Sequence, residues 1–111
     1  MADRVLAFVD LFVDSQRMDE VISSLKDIKN AVQIYEVTGE FDVIVLVNVA
    51  SIEEFRDLLK NRIMKIGGIK STVTSIVLKS HRNHTLEVPN ASTLSAKFSL
   101  PVGFSPHQER L

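Results

Sequence analysis

Cysteine is absent from the 111-residue chain, which excludes a disulfide framework, a thiolate zinc site and a cysteine nucleophile. An excess of positive charge is also missing. The formal net charge is -1, so no bulk positive field would attract nucleic acid. No run of residues approaches the roughly 18 consecutive apolar side chains of a membrane span. The charged residues within 1–14 do not fit a signal peptide. These features predict a soluble, cytoplasmic protein.

Residue groups typical of enzymes are also missing. No constellation of serine, histidine and carboxylate is visible, and the glycines of IGGI (66–69) lack the P-loop and dinucleotide-binding spacings. HRNH (81–84) has two histidines three residues apart, but it follows a strand pattern and precedes a proline-containing tail. Solvent-exposed histidines are the simpler interpretation. We therefore predict no catalytic residue, no metal site and no cofactor.

Basic and acidic residues share one helical segment: Lys60, Arg62 and Lys65 with Glu53, Glu54 and Asp57. This mixture is typical of a solvated helix face with ion pairs at i,i+3 and i,i+4 rather than of a surface that follows phosphates. The sequence also contains no helix-turn-helix pattern. We therefore expect no direct contact with nucleic acid.

Hydrophobic periodicity divides residues 5–80 into alternating strand and helix patterns. Segments dense in valine, isoleucine and phenylalanine predict strands, whereas apolar residues at i, i+3, i+4 and i+7 predict helices. The predicted elements are a strand at 5–14, a helix at 15–30, a hairpin at 31–50, a helix at 51–68 and a strand at 69–80. Their order is βαββαβ.

Polar residues and glycine mark the predicted helix ends. Ser15 is placed to cap the first helix, and Ser51 with Glu54 matches the S-x-x-E capping box of the second. Gly67 is placed to end the second helix. The predicted apolar stripe of that helix is Ile52, Phe55, Leu58, Leu59, Ile63 and Ile66. The β-branched run VIVLVNV (43–49) predicts a central strand buried on both faces.

The βαββαβ order predicts an α+β, ferredoxin-like fold with a four-stranded antiparallel sheet. Right-handed crossovers place both helices on one face of that sheet. Every strand also carries apolar residues on the opposite face, and an uncovered apolar face of that size is unusual for a soluble monomer. We therefore predict a homodimer whose sheets pack face to face, as a dimeric αβ barrel or sandwich. The competing interpretation is that the C-terminal segment folds back over the sheet.

Residues 81–111 differ in composition from the rest of the chain, because they contain all three histidines and all three prolines. Within them, LSAKFSLPVGF (94–104) places apolar residues at every second position, which predicts an extended segment with one buried face. Pro101 confines such a segment to a sheet edge or to a non-sheet extension. We expect a C-terminal extension that forms a docked arm; a disordered tail is the alternative. The predicted domains are 1–80 and 81–111.

The hairpin tip TGEFD (38–42) contains more functional groups than a chain reversal needs. Gly39 can adopt a positive φ and suffices for the turn. Phe41 is expected to anchor the loop against apolar neighbours. Glu40 and Asp42 are then surplus, and considered alone they indicate only a solvated turn.

Two segments carry a specific resemblance to a known family: VTGEFD (37–42) and GGIKSTVTSIVL (67–78). With the residues around them, about 5–79, they resemble the effector-binding domain of the Lrp/AsnC transcription regulators, also called the RAM domain. The resemblance implies a ferredoxin-like dimer with paired sheets. It further implies assembly of dimers, commonly into an octamer, with a small molecule, usually an amino acid, bound between neighbouring dimers.

The resemblance also implies a pocket formed by the hairpin tip of one subunit and the last-strand segment of another. The residues that match it are Gly39, Glu40, Asp42, Ile69, Thr72, Thr74 and Ile76. A tip carboxylate would accept hydrogen bonds from an α-ammonium, and threonine hydroxyls would meet the α-carboxylate. Taken alone, the threonines indicate only β-propensity. A desolvated zwitterion needs both charges matched, so ligand binding would be coupled to assembly.

Two features depart from full-length members of this family. Those proteins carry a helix-turn-helix of about fifty residues before the effector domain, whereas here the first strand pattern begins at Val5. We therefore expect a stand-alone effector domain that does not bind DNA itself. The second departure is the segment after Ser80, which the usual domain lacks and which would alter the oligomer or cover the pocket.

Three functions remain open from the sequence. The first is an amino-acid-binding and oligomerisation domain that modulates full-length Lrp/AsnC regulators. The second is a structural or partner-binding module with a vestigial pocket. The third is a dimeric-barrel enzyme, which would need a polar cavity between sheet and helices. Asp10 and Asn48 are isolated polar exceptions among the apolar residues that would line such a cavity.

Overall fold

The computed structural model describes residues 4–84 of the chain. Within this range the helices and strands are β1 (Val5–Val13), α1 (Met18–Lys26), β2 (Ala31–Glu36), β3 (Val43–Val49), α2 (Ile52–Leu58) and β4 (Ile69–Ile76). A 3-10 turn, Ser15–Arg17, precedes α1, and a π-helical turn, Leu59–Ile63, follows α2. Residues 4–79 belong to one compact unit. The segment 94–104, for which the sequence predicts a docked arm, lies outside the described residues.

The four strands of the described range form one antiparallel sheet in the order β2-β3-β1-β4. The two interior strands, β1 and β3, pair from Val5 with Val49 to Leu11 with Val43. The strands β2 and β4 form the edges. This architecture confirms the predicted α+β, ferredoxin-like fold.

The core lies between one face of the sheet and the helices. Alternate residues of β1 and β3 are buried, as expected for strands packed on one side. These strand residues are Ala7, Val9, Leu11, Val13, Val43, Val45, Val47 and Val49. The helical layer adds Val21, Leu25, Ile28, Phe55, Leu58 and Ile63 to the same cluster. Both helices therefore lie on one face of the sheet, as predicted.

The opposite face of the sheet has no helix over it within residues 4–84, and we call it the open face. Its apolar members on the four strands are Leu6, Phe8, Phe12, Ile44, Leu46, Val73 and Tyr35. Phe8 is 38% exposed and Val73 is 46% exposed. In this single chain, β3 is therefore fully buried on its helix-facing side and half-buried on the open face.

The start of the first helical segment differs from the prediction. Asp14 is the capping residue: its backbone is extended, and its side chain accepts a hydrogen bond of 3.1 Å from the Gln16 N–H. Ser15 already belongs to the 3-10 turn. The carboxylate one residue earlier takes the capping role because the chain tightens into a 3-10 turn before α1 begins. The strand therefore ends at Val13 rather than at residue 14.

The second helical segment keeps its predicted start but not its predicted length. The Ser51 side chain accepts a hydrogen bond of 3.1 Å from the Glu54 N–H, and the Glu54 carboxylate accepts one of 2.8 Å from the Ala50 N–H. The capping role of Ser51 is thus confirmed. The regular α-helix ends at Leu58, where a π-helical turn begins. Ile52, predicted to join the buried stripe, is 45% exposed.

The chain leaves the second helical segment through a glycine pair packed on α1. Gly68, not Gly67, takes the positive φ, at +103°. A Cβ on Gly68 would lie 2.9 Å from Val21 Cγ2 and 3.0 Å from Arg17 Cβ. The Gly68 carbonyl accepts a hydrogen bond of 2.8 Å from the Asp14 N–H. Gly68 is therefore needed both for its backbone conformation and for the close approach of β4 to the start of α1.

Candidate functional site

The loop between β2 and β3, residues 37–42, forms one half of the predicted site. Gly39 has φ +124°, which confirms its role in the reversal. A Cβ built on Gly39 would meet no atom within 4 Å, so its backbone conformation, rather than space, requires glycine. Glu40 is exposed, and its carboxylate has no hydrogen-bond partner within residues 4–84. The loop therefore presents one unengaged acid at its tip.

Phe41 fixes the loop to the open face. Its ring lies 4.8 Å from the ring of Phe12 on β1, measured between centroids, with an interplanar angle of 58°. Such tilted aromatic pairs contribute about 0.5–1.5 kcal/mol beyond their buried area. The prediction that Phe41 anchors the loop is confirmed.

Asp42 is engaged on three sides by backbone groups. Its carboxylate accepts a hydrogen bond of 2.8 Å from the Val13 N–H. Its own N–H donates to the Leu11 carbonyl at 3.0 Å, and its carbonyl accepts from the Val37 N–H at 3.0 Å. The half-buried Asp42 side chain is thus part of the junction between β1 and the hairpin loop.

The second half of the predicted site lies along β4. Ile69, Thr72, Thr74 and Ile76 pair with Val13, Leu11, Val9 and Ala7 of β1, respectively. They therefore share the helix-facing side of the sheet. Their β1 partners are buried, whereas Thr72 and Thr74 are half-buried and Ile76 is 38% exposed. The helices cover the interior strands more fully than this edge strand, which leaves the two hydroxyl-bearing residues accessible.

Met64 is a neighbour of this strip that the sequence pattern does not indicate. The Thr72 hydroxyl donates a weak hydrogen bond to Met64 Sδ at 3.8 Å, and Met64 is 50% exposed. The π-helical turn ends just before it, and the Met64 N–H donates to the Leu59 carbonyl at 2.8 Å. Met64 lies outside the apolar stripe predicted for a helix of constant period 3.6, and it directly follows the π-helical turn.

The two halves of the site do not meet within one chain. The strand β1 separates β3 from β4, so the loop that precedes β3 is two strand spacings, about 10 Å, from β4. The connection between them runs through the β1 backbone. Leu11 and Val13, which bond to Asp42, are the β1 partners of Thr72 and Ile69.

Asp10 is the one polar residue at the middle of β1 on the open face. Its cross-strand neighbours are Ile44 on β3 and Val73 on β4. Desolvation by burial among these apolar neighbours raises the pKa of Asp10 above its ordinary value. Asp10 therefore lies on the side of the sheet opposite Thr72 and Thr74 and does not belong to the same site.

The two halves of the site differ in the polar groups that they offer. Within residues 4–84, no three histidine, aspartate or glutamate side chains come together as metal ligands would. The loop offers carboxylates, and β4 offers hydroxyls beside an apolar strip. Such groups suit a small ligand that carries an ammonium group, an acceptor oxygen and an apolar portion. In the same range no helix is long and apolar enough to span a membrane.

The sequence matches the profile of the Lrp/AsnC ligand binding domain over residues 6–86. The chain belongs to the Lrp/AsnC ligand-binding domain family. The match includes both halves of the site, the loop 37–42 and the strand β4. It also agrees with the prediction that the chain is not an enzyme, because the matched domain is the regulatory ligand-binding part of transcription regulators.

Curated relatives of this Lrp/AsnC domain are transcription regulators. The HTH-type transcriptional regulator FL11 of Pyrococcus horikoshii is 36% identical over 85 residues, which are 77% of this chain and 55% of the relative. The regulator Ptr1 of Methanocaldococcus jannaschii is 23% identical over 79 residues, 71% of this chain and 53% of the relative. The chain thus spans about half the length of the curated relatives it matches.

Several solved structures share the fold of this chain. AsnC from E. coli superposes with a TM-score of 0.71 at 25% identity, covering 74% of this chain and 56% of AsnC. A feast or famine regulatory protein from M. tuberculosis, solved with L-methionine, has a TM-score of 0.65 at 29% identity, with 77% and 57% coverage. PHS023 from Pyrococcus horikoshii has a TM-score of 0.63 at 27% identity and covers 74% of this chain. That match takes in 99% of the PHS023 chain.

Proposed function

We propose that this chain is an amino-acid-binding and oligomerisation domain that acts on its own, without binding DNA, and modulates full-length Lrp/AsnC regulators. Its ligand would lie where the loop of one dimer meets β4 of another. The observation that carries the proposal is the pair of half-exposed threonines, Thr72 and Thr74, on an edge strand of a Lrp/AsnC ligand-binding domain. The near-complete coverage of PHS023 by this fold supports the stand-alone form.

The open face supports the dimer in this proposal. Phe8 and Val73 remain substantially exposed there, beside half-buried Leu6, Phe12 and Ile44. A standard interface buries about 800 Å² on each partner, which is of the order that one face of a four-stranded sheet provides. A second copy, with its own open face, would cover this surface without exposing a new apolar patch.

The separation of the two half-sites supports a ligand that bridges subunits. The loop offers a carboxylate, and β4 offers hydroxyls about 10 Å away on the far side of β1. An amino acid is too short to span that gap around a packed strand. A pocket that matches both its charges therefore requires the loop of one subunit and β4 of another, and ligand binding would strengthen the contact between dimers.

Isothermal titration of the full chain against the twenty amino acids and related metabolites tests the proposal. We expect at least one of them to bind with measurable heat and to raise the melting temperature. Thr74→Val preserves the β-branched shape but removes a hydroxyl, so it is expected to weaken that binding by about tenfold or less. Ile52→Val, a change on the exposed helical surface, is the matched control.

No heat and no thermal shift with any amino acid at millimolar concentration would contradict the binding proposal. An oligomer that stays unchanged with every ligand, combined with recovery of a purified full-length regulator of the family in a pull-down, would instead favour a partner-binding module.

A further inference from the structure

The carboxylate of Asp42 occupies a place that a main-chain carbonyl fills in a longer strand pair. The regular pairing of β1 with β3 ends at Leu11 and Val43, yet β1 continues to Val13. The Val13 N–H, on the side facing the loop, donates to Asp42 Oδ2 at 2.8 Å. The Asp42 side chain thus accepts a hydrogen bond from the Val13 N–H at a position beyond the end of the pairing with β3. A buried N–H left without an acceptor is costly, so this contact has a structural purpose of its own.

The same contact fixes the loop relative to β4. The pairing of β1 with β4 shifts register between Phe12 and Val13, and Val13 then pairs with Ile69. Asp42 therefore holds the loop against Val13. On its other side, Val13 pairs with Ile69, the first residue of the β4 half of the site. Its three backbone contacts, to Leu11, Val13 and Val37, restrain both the position and the rotation of this residue.

Glu40 differs from Asp42 in each of these respects. It is exposed, two residues nearer the tip, and its carboxylate has no hydrogen-bond partner within the described residues. A carboxylate without intramolecular donors is free to accept two or more hydrogen bonds from an ammonium group. The carboxylate of Asp42 already uses one oxygen on the protein backbone.

We infer that Asp42 is a positioning residue, which holds the loop on β1 through Val13, and that Glu40 supplies the charge that meets the ligand ammonium. This inference rests on the proposed function for its ligand, but the positioning role of Asp42 rests on the intramolecular contact alone. It assigns different tasks to two acids that the family resemblance places together.

Two substitutions of Asp42 separate position from charge. Asp42→Asn retains an oxygen that can accept from the Val13 N–H but removes the charge, whereas Asp42→Ala removes both. We expect Asp42→Asn to keep the affinity of the full chain for L-methionine, or for the tightest of the twenty amino acids, within about threefold. Asp42→Ala and Glu40→Gln are each expected to weaken it by at least about tenfold. Equal losses in Asp42→Asn and Asp42→Ala, or undiminished affinity in Glu40→Gln, would overturn the assignment.

Amide hydrogen exchange supplies a readout that needs no ligand. In the full chain, Asp42→Ala is expected to speed exchange of the Val13 amide by at least about tenfold, because its acceptor is lost. Asp42→Asn is expected to restore the protection, and Glu40→Gln to leave it unchanged. Unaltered Val13 exchange in Asp42→Ala would refute the positioning role. Failure of every amino acid to bind the unmodified chain would instead refute the proposed function, so the two failures are distinguishable.

Discussion

The Val13 N–H and the Asp42 carboxylate are joined by a hydrogen bond of 2.8 Å across 29 positions of sequence. The bond ties the loop 37–42 to the interior strand β1, whose other edge pairs with the threonine-bearing strand β4. Within one chain, the position of the loop relative to β4 is therefore set by β1, the interior strand between β3 and β4, and each half-site is held on a rigid strand. A ligand pocket between subunits benefits from that rigidity, because less ordering is needed upon binding.

The open face leads to a prediction about the dimer. Phe8→Glu places a negative charge on that face. The cross-strand partners of Phe8 are Leu46 and Ser75, and neither carries a positive charge that could pair with the new carboxylate. If a second sheet covers this face, we expect the dimer dissociation constant to rise by about a hundredfold or more, equivalent to about 3 kcal/mol. Sedimentation velocity over a concentration series measures the change.

Ile52→Glu is the matched control for Phe8→Glu. Ile52 is 45% exposed at the start of α2, on the opposite side of the sheet, so an acid there is compatible with the helix N-terminus. The dimer dissociation constant of Ile52→Glu should stay within about threefold of that of the unmodified chain. Equal weakening by both substitutions would place the interface elsewhere.

We expect Asp10 to make both the stability and the dimerisation of the chain dependent on pH. Desolvation raises its pKa in the folded state, so the folded chain binds this proton more tightly than the unfolded chain does. Stability from this residue is therefore fully present below the unfolded pKa and is lost as pH rises through the folded pKa. A second sheet over Asp10 would remove more water and raise the pKa further, so dimers should tighten as the pH falls.

Asp10→Asn isolates this effect, because it preserves the shape and removes the charge. We expect its dimer to be tighter than that of the unmodified chain at neutral pH, and the two to converge under acidic conditions where Asp10 is protonated. The test is to measure the dimer dissociation constants of the unmodified chain and of Asp10→Asn at several pH values. A wild-type curve parallel to that of Asp10→Asn throughout would mean that Asp10 stays hydrated in the dimer.

The two glycines with positive φ should respond differently to alanine. At Gly39 a Cβ meets no atom within 4 Å, so Gly39→Ala is expected to cost about 1 kcal/mol from backbone strain alone. At Gly68 the Cβ would also lie 2.9 Å from Val21 Cγ2, so strain and overpacking together should cost about 3 kcal/mol. Chemical denaturation of both variants measures the difference, and a larger loss at Gly39 would contradict the packing described at Gly68.

Ser51 and Ser15 should differ in how much each stabilises the start of its helix. Ser51→Ala removes the acceptor for the Glu54 N–H and should cost about 1 kcal/mol of folding free energy. Ser15→Ala should cost less than about 0.5 kcal/mol, because Asp14 performs the capping at that helix. Thermal unfolding of the two variants under one set of conditions reports the difference directly. Similar losses would indicate that Ser15 contributes to the cap as well.

Local patterns predict the elements that are governed by local physics. The period-two alternation of β1 and β3 predicts which of their residues face the helices, because a strand must present every second side chain to the same layer. The Ser51 capping box likewise depends on residues only three apart. The order of the elements then fixes the ferredoxin-like arrangement, since few topologies remain open to a βαββαβ chain.

Contacts between distant segments are not predictable in this way. The partner of Asp42 is a backbone group on β1, 29 residues away, and no pattern near Asp42 indicates it. Met64, whose sulfur accepts from the Thr72 hydroxyl, directly follows a π-helical turn, and such a turn departs from the 3.6-residue period by which helix faces are predicted. The choice of Asp14 over Ser15 as a cap is decided by a 3-10 turn, whereas either side chain satisfies the sequence signature.

The coupling of ligand binding to assembly can be tested by the mass of the full chain in solution, measured with and without each of the twenty amino acids. Light scattering coupled to size-exclusion chromatography, with the ligand in the running buffer, gives that mass. We expect a dimer or a multiple of dimers, and a shift in the population of the larger species with at least one amino acid. A monomer, or an assembly whose mass is the same with every amino acid, would contradict the coupling of ligand binding to assembly.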